Sequence, residues 1–172
     1  MPLTGYDDVY LGNPNLKKAN TRLEFTQEQI LEFVACKNDP VYFAKQHVKI
    51  VSLDEGLVPF EPYDFQEKLI QNFHENRFNI CKMPRQTGKS TTSVSYLLHY
   101  AVFNDNVNIG ILANKAATAR DLLGRLQTAY ENLPKWMQQG IISWNKGSLE
   151  LENGSKILAA STSASAVRGM SF

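Results

Sequence analysis

Met83-Pro84-Arg85-Gln86-Thr87-Gly88-Lys89-Ser90 has the residue types and spacing that phosphate chemistry needs. A Gly-Lys-Ser ending lets backbone N–H groups turn inward. It also sets an ammonium beside phosphate oxygens and a hydroxyl beside the accompanying magnesium. A helix opening directly after the loop adds its own N-terminal N–H groups and dipole. On this chemistry Lys89 bridges the β- and γ-phosphates of ATP and Ser90 ligates Mg2+, with Gln86, Thr87, Gly88 and Thr91 completing the cradle. Two residues depart from the pattern: Met83 stands where a first glycine is expected, and Pro84 lacks an amide donor. The structural alternative is a surface turn at a helix start with a solvated lysine.

Such a loop needs a strand before it and a helix after it. Phe78-Asn79-Ile80-Cys81-Lys82-Met83 is a short strand candidate, and a helical pattern follows the loop to about Phe103. Upstream, Pro62 opens a helix to about His74 with Phe65, Leu69, Ile70 and Phe73 turned inward. Downstream, Val107-Asn108-Ile109-Gly110-Ile111-Leu112 reads as a buried strand, and 115–131 as a helix with Leu122, Leu123, Leu126 and Tyr130 on one face. Three short strands come next, around Ile141-Ile142, Ser148-Leu149 and Lys156-Ile157, the last two joined by the Asn153-Gly154 turn. They are expected at the margin of the sheet. Strand, loop, helix, strand, helix implies an α/β fold with parallel strands, because each crossover returns the chain to the same edge.

The front of the chain is different. Residues 1–25 read as an extended arm, with the turn-forming run Gly12-Asn13-Pro14-Asn15. Thr26 and Gln29 have capping-box spacing, with Ile30, Leu31, Phe33 and Val34 as the apolar face behind them. Asp39-Pro40 opens a second helix lined by Val41, Phe43, Ala44 and Val48. The expected organisation is an arm over 1–25, a small lid-like helical segment over 26–60, and a P-loop NTPase-type core over 61–172. That core is a partly parallel sheet flanked by helices, with a late β-hairpin region.

Composition narrows the classes. With 18 Lys plus Arg against 17 Asp plus Glu, the net charge is +1, lower than a protein coating DNA by charge alone would carry, so any DNA contact is local or weak. Hydrophobic residues make up 43%, enough for a packed core. Cys36 and Cys81 are far apart, with neither CxxC spacing nor a nearby His pair, so no zinc signature is read. No apolar stretch reaches the length of a membrane span. His47, His74 and His99 are scattered, Trp136 and Trp144 read as packing anchors, and Lys115, Arg120 and Arg125 share a helix with Asp121 as a solvated face.

Arg-Gln-Thr-Gly-Lys-Ser-Thr at 85–91 resembles the variant P-loop of tailed-bacteriophage terminase large subunits. Collinear stretches extend the likeness to the contractile-tailed phage members: Gly12-Asn13-Pro14-Asn15-Leu16-Lys17-Lys18-Ala19-Asn20, residues 39–45, Trp144-Asn145-Lys146-Gly147-Ser148 and Ala166-Val167-Arg168-Gly169. The resemblance implies the ATPase region of a motor that drives viral DNA into a capsid. By position, it makes Lys89 and Arg85 catalytic, Arg85 meeting the γ-phosphate charge that develops in phosphoryl transfer. It makes Gln66 an adenine reader, through an amide that both donates and accepts, with Tyr63 or Phe65 stacking on the base. The structural alternative, favoured by periodicity alone, is an exposed Gln66 with Phe65 in the core. Glu61 stands where a further family glutamine falls. Arg168-Gly169 is implied to touch DNA or nucleotide, although a turn glycine beside a surface arginine is the preferred reading.

The implied partners are double-stranded viral DNA, a portal protein and a terminase small subunit. The full-length protein is expected as a ring on the portal, in host cytoplasm and transiently at the procapsid. An apolar strand ending in Asp-Glu, which would order magnesium and position water, is expected after Arg168-Gly169, but the sequence ends at Phe172. The expectation is a fragment that binds nucleotide and hydrolyses it poorly or not at all. Two rivals are a helicase-like DNA-remodelling ATPase and a non-catalytic nucleotide-binding module.

Overall fold

The computed structural model describes residues 8–52 and 54–162. Its elements, in order, are β1 (Val9–Tyr10), β2 (Asn13–Lys17), α1 (Gln27–Asn38), α2 (Pro40–His47), β3 (Lys49–Ser52), β4 (Gly56–Pro59), α3 (Asp64–Glu75), α4 (Lys89–Phe103), β5 (Asn108–Ala113), α5 (Ala116–Glu131), β6 (Ile141–Trp144), β7 (Ser148–Leu151) and β8 (Lys156–Ser161).

Local signals operate where they are written. Thr26 Oγ1 accepts from the Gln29 N–H at 3.2 Å, and the Gln29 side-chain Oε1 accepts from the Thr26 N–H at 3.0 Å, closing a capping box on α1. Asp39 accepts from the N–H groups of Val41 and Tyr42 at 2.8 and 3.0 Å, and Pro40 fills the first helical position, where no donor is needed. Gly56 and Gly154 adopt positive φ in the β3–β4 and β7–β8 turns.

The main sheet has the order β5-β8-β7-β6. β5 and β8 run parallel, from Asn108 beside Lys156 to Ala113 beside Ser161; the β8–β7 and β7–β6 pairs are antiparallel. The fold is therefore α/β with a mixed sheet and one parallel pair among the described residues. The late strands were expected at the margin. Instead β8 lies inside the sheet, because the crossover through α5 and the β6–β7 hairpin returns the chain alongside β5. Helix α5 covers β5 and β8. Leu123, Leu126 and Tyr130 on α5, with Leu149, Leu151 and Ile157 on the strands, are fully buried, each burial contributing about 1.5–3 kcal/mol. The hairpin tip also closes α4: Asn153 Nδ2 donates to the carbonyls of Ala101 and Asn104, two groups left over at that helix end.

Four further expectations need correction. Residues 78–83 do not form a strand; Phe78 is 83% and Ile80 101% exposed, and no ladder among the described residues pairs them. β5 is not buried on both faces: Ile109 and Ile111 point into the core while Leu112 is exposed. On α1 the apolar face read from the sequence is largely outward, with Ile30, Leu31 and Val34 exposed, and the helix packs through Phe33 and Cys36. On α3, Phe65 is exposed and Gln66 is buried, the reverse of the periodicity reading.

The N-terminal arm is a short β1–β2 hairpin docked against the rest of the chain. Leu16 is buried, and the Lys17 N–H donates to Gln138 Oε1 at 3.0 Å. Glu152 binds the arm through the Asn20 N–H at 2.8 Å and Lys17 Nζ at 3.3 Å, and also accepts from the Gly140 N–H at 2.7 Å. Burial pushes the Glu152 carboxyl up, but the backbone donors of Asn20 and Gly140, with Lys17, outweigh it and hold the group below its usual range. A Cβ at Gly140 would lie 2.5 Å from the Ala19 Cα, so only glycine lets the arm approach this closely.

Candidate phosphate-binding loop

The loop is built by its own backbone and a few side chains. Thr87 Oγ1 donates to the Pro84 carbonyl at 3.0 Å, closing a tight turn over Arg85 and Gln86. Gln86 and Gly88 both take positive φ, 61° and 72°. A non-glycine residue held there costs about 1–3 kcal/mol, strain that persists mainly at ligand clamps and switches. Gly88 then caps α4, its carbonyl accepting from the Thr92 N–H at 2.9 Å and from Thr92 Oγ1 at 3.0 Å. Thr92 is fully buried, which anchors the first turn of the helix.

Lys89 lies back over the start of its own loop. Its Nζ donates to the Met83 carbonyl at 3.2 Å and to the Pro84 carbonyl. Both backbone carbonyls at the start of the loop are thus occupied. Pro84 gives up an amide donor, yet its carbonyl accepts from both Thr87 and Lys89. An ammonium resting on neutral carbonyls in a half-exposed loop is free to exchange them for a stronger, anionic acceptor.

Gln66 reaches this loop from α3. Its Oε1 accepts from the Tyr63 N–H at 2.9 Å, and its Nε2 donates to the Thr87 carbonyl at 3.3 Å. A primary amide has two donor hydrogens and two acceptor lone pairs, so one of each is left over. Glycine is favoured at 88 by its positive φ, and a Cβ there would sit 2.3 Å from Gln66 Nε2, displacing that side chain from its bond to Thr87. Tyr63 and Phe65 flank the site, their exposed rings stacked at 5.8 Å and 10°.

The structure therefore brings together Gln66, Thr87, Gly88 and Lys89. Arg85, Gln86 and Ser90 are exposed along the same loop and the start of α4. Thr91 borders a cleft of about 610 Å3 between β3, α4 and α5, which is lined by Ile50, Val94 and Arg125 among others. Arg168 and Gly169 lie outside the described residues. Sequence reasoning missed Thr92 as the anchor of the first turn; a threonine directly after Ser90 and Thr91 was the available signal. It also missed the Gln66–Thr87 contact, which spans 21 residues and leaves no local mark.

The family model of the terminase large subunit, T4likevirus-type, N-terminal, matches residues 80–172, more than half of the chain. The chain belongs to this family. The match takes in the loop, α4 and the whole mixed sheet, so the resemblance seen in the loop extends through the fold that supports it. Gln66 and the helical hairpin α1–α2 precede the matched region of this terminase. No helix among the described residues is long and apolar enough to cross a membrane.

Proposed function

We propose that this terminase chain binds MgATP at residues 84–91 and forms the nucleotide-binding part of a motor that moves double-stranded viral DNA into a capsid. The observation that carries the reading is the Lys89 ammonium held at the mouth of a loop containing two left-handed residues, directly ahead of a helix N-terminus. Lys89 would meet the β- and γ-phosphates, Ser90 the magnesium, and Arg85 the charge that grows on the γ-phosphate. Nucleotide and magnesium together would supply the phosphoryl group and its charge neutralisation. Gln66 would read the base edge with its remaining donor and acceptor, beside the Tyr63–Phe65 pair, while keeping its hold on Thr87.

On this reading residues 26–60 serve as a lid-like segment over a core spanning 61–172, and residues 1–25 as an arm. The core is of P-loop NTPase type. The portal protein, the terminase small subunit and DNA are the expected partners. The full-length protein would work as a ring on the portal, in host cytoplasm and transiently at the procapsid.

Thermal melts with and without MgATP test the reading, since a ligand held only by the folded state raises Tm by mass action. A ligand at 100 times its Kd stabilises by about 2.7 kcal/mol. The expected result is a rise in Tm with MgATP that disappears in Lys89→Ala, at a half-exposed position, with circular dichroism confirming that the variant is folded. No rise at saturating MgATP, or an equal rise in Lys89→Ala, would remove the assignment.

A further inference from the structure

The α1–α2 hairpin gathers three kinds of metal-binding atom. Glu32 and Cys36 are one helical turn apart on α1, and His47 ends α2. One donor atom from each lies within 4.8 Å of the other two. His47 Nε2 is 2.7 Å from Glu32 Oε1, and Cys36 Sγ is 3.6 Å from the same oxygen. We propose that Glu32, Cys36 and His47 form a binding site for a divalent cation of the zinc class, cross-linking α1 to α2.

The donor set fits that class. One thiolate, one imidazole and one carboxylate are ligands zinc accepts, and three protein ligands leave the fourth tetrahedral position to water. Bond lengths of about 2.0–2.3 Å place tetrahedral ligands about 3.3–3.6 Å apart. The sulfur–oxygen separation already matches. The nitrogen–oxygen pair must open by about half an ångström, a small torsion of the half-exposed Glu32 side chain.

The surroundings are those of a supported site. Tyr42 OH donates to Glu32 Oε2 at 3.0 Å, holding the carboxylate through the oxygen that does not face His47. Outer contacts of this kind orient metal ligands and tune their affinity. The His47 ring is packed edge-on by Trp136 at 6.0 Å and flanked by Phe43 at 6.3 Å. Cys36 is fully buried, while Glu32 and His47 keep 29% and 14% of their side chains exposed, which gives a cation its way in. Binding exchanges protons for the cation: Cys36 Sγ releases its hydrogen to buffer, and the hydrogen that His47 Nε2 shares with Glu32 moves to Nδ1 or to buffer, which leaves Nε2 a lone pair for the cation.

The test uses the full chain carrying Cys81→Ser, which removes the exposed thiol. Cobalt(II) is titrated in and followed by absorbance, with circular dichroism to confirm folding. The expected result is one bound cobalt with a thiolate-to-cobalt charge-transfer band, displaced by zinc and lost in Cys36→Ala. Glu32→Gln and His47→Gln should weaken binding by more than tenfold, and Tyr42→Phe by about tenfold. A folded chain with no band, or a band that survives Cys36→Ala, overturns the site and leaves a hydrogen-bonded cluster only. Should Cys36→Ala fail to fold, the Cys81→Ser chain itself decides. Zinc must then raise its Tm where magnesium does not, and equal or absent shifts overturn the proposal.

Discussion

Two stretches of this terminase have the same local grammar and different fates. Residues 78–83 and β5 are both short apolar runs followed by a turn and a long helix. β5 is a strand, paired in register with β8 along its whole length and covered by α5. Residues 78–83 are exposed, and no strand among the described residues pairs with them, although α4, which follows, buries Leu98, His99, Val102 and Phe103. A cleft of about 800 Å3 lies between β5, α4 and the end of α3. A strand is thus a property of a pair. Its backbone N–H and C=O groups need partners, and apolar alternation only decides which face a paired strand buries. A helix satisfies its own backbone, so α4 forms whether or not the segment before it joins a sheet.

The largest expected effect tests this contrast directly. Ile109→Ala on β5 should cost about 2–5 kcal/mol in urea denaturation, whereas Ile80→Ala should fall within about 0.5 kcal/mol of the parent. Comparable losses at both positions would mean that 78–83 is packed in solution, and the comparison would break.

The helix behind the exposed stretch gives the next test. His99 on α4 is buried, and burial drives its imidazole down to about 4 from an ordinary 6.5, against the opposing bond to the Cys36 carbonyl. Its neutral ring donates through Nε2 at 2.9 Å, and Nδ1 has no partner among the described residues. Between those two values the unfolded chain binds the proton and the folded chain does not, so stability rises with pH across the window and is lost as pH falls from 6.5 towards 4. The full effect is on the order of 3 kcal/mol. Chemical denaturation of His99→Gln from pH 7 to 4 should show a flatter slope than the parent; an unchanged slope would show that His99 does not titrate as described.

Two glycines give a smaller contrast, with opposite signs. Gly88→Ala puts a side chain at φ 72° and against Gln66, and should cost about 1–3 kcal/mol as well as the MgATP response. Gly124→Ala, inside α5 with open space around its Cβ, should stabilise by about 0.5–1 kcal/mol. Equal effects in paired melts would mean that the loop does not hold the geometry described. The finest test is amide exchange: the N–H groups of β5 that pair with β8 should be protected, and those of 78–83 should exchange at rates close to an unfolded chain.

Legibility in the sequence follows the range of the interaction. Thr26 with Gln29, Asp39 with Pro40, and Asn153 with Gly154 each act within one turn of chain, and each forms the cap or turn read from its residue types. The Gly-Lys-Ser loop is equally local and opens α4 as expected. Periodicity was weaker evidence on α1 and α3, where Ile30, Leu31, Val34 and Phe65 face outward and Cys36 and Gln66 face in. An apolar stripe records what a helix could bury, whereas the packed neighbours determine what it does bury.

The sequence by itself determined helices α1 to α5, strand β5 and the three late strands, together with the tight loop ahead of α4, because caps, turns and glycine φ values depend on atoms a few residues apart. Tertiary structure alone decided that β8 lies beside β5, that 78–83 has no strand partner among the described residues, that Gln66 turns inward to Thr87, and that Glu32, Cys36 and His47 share one corner of the helical hairpin. Each of those depends on which surfaces, distant along the chain, pack closely enough to satisfy one another's hydrogen bonds and exclude water.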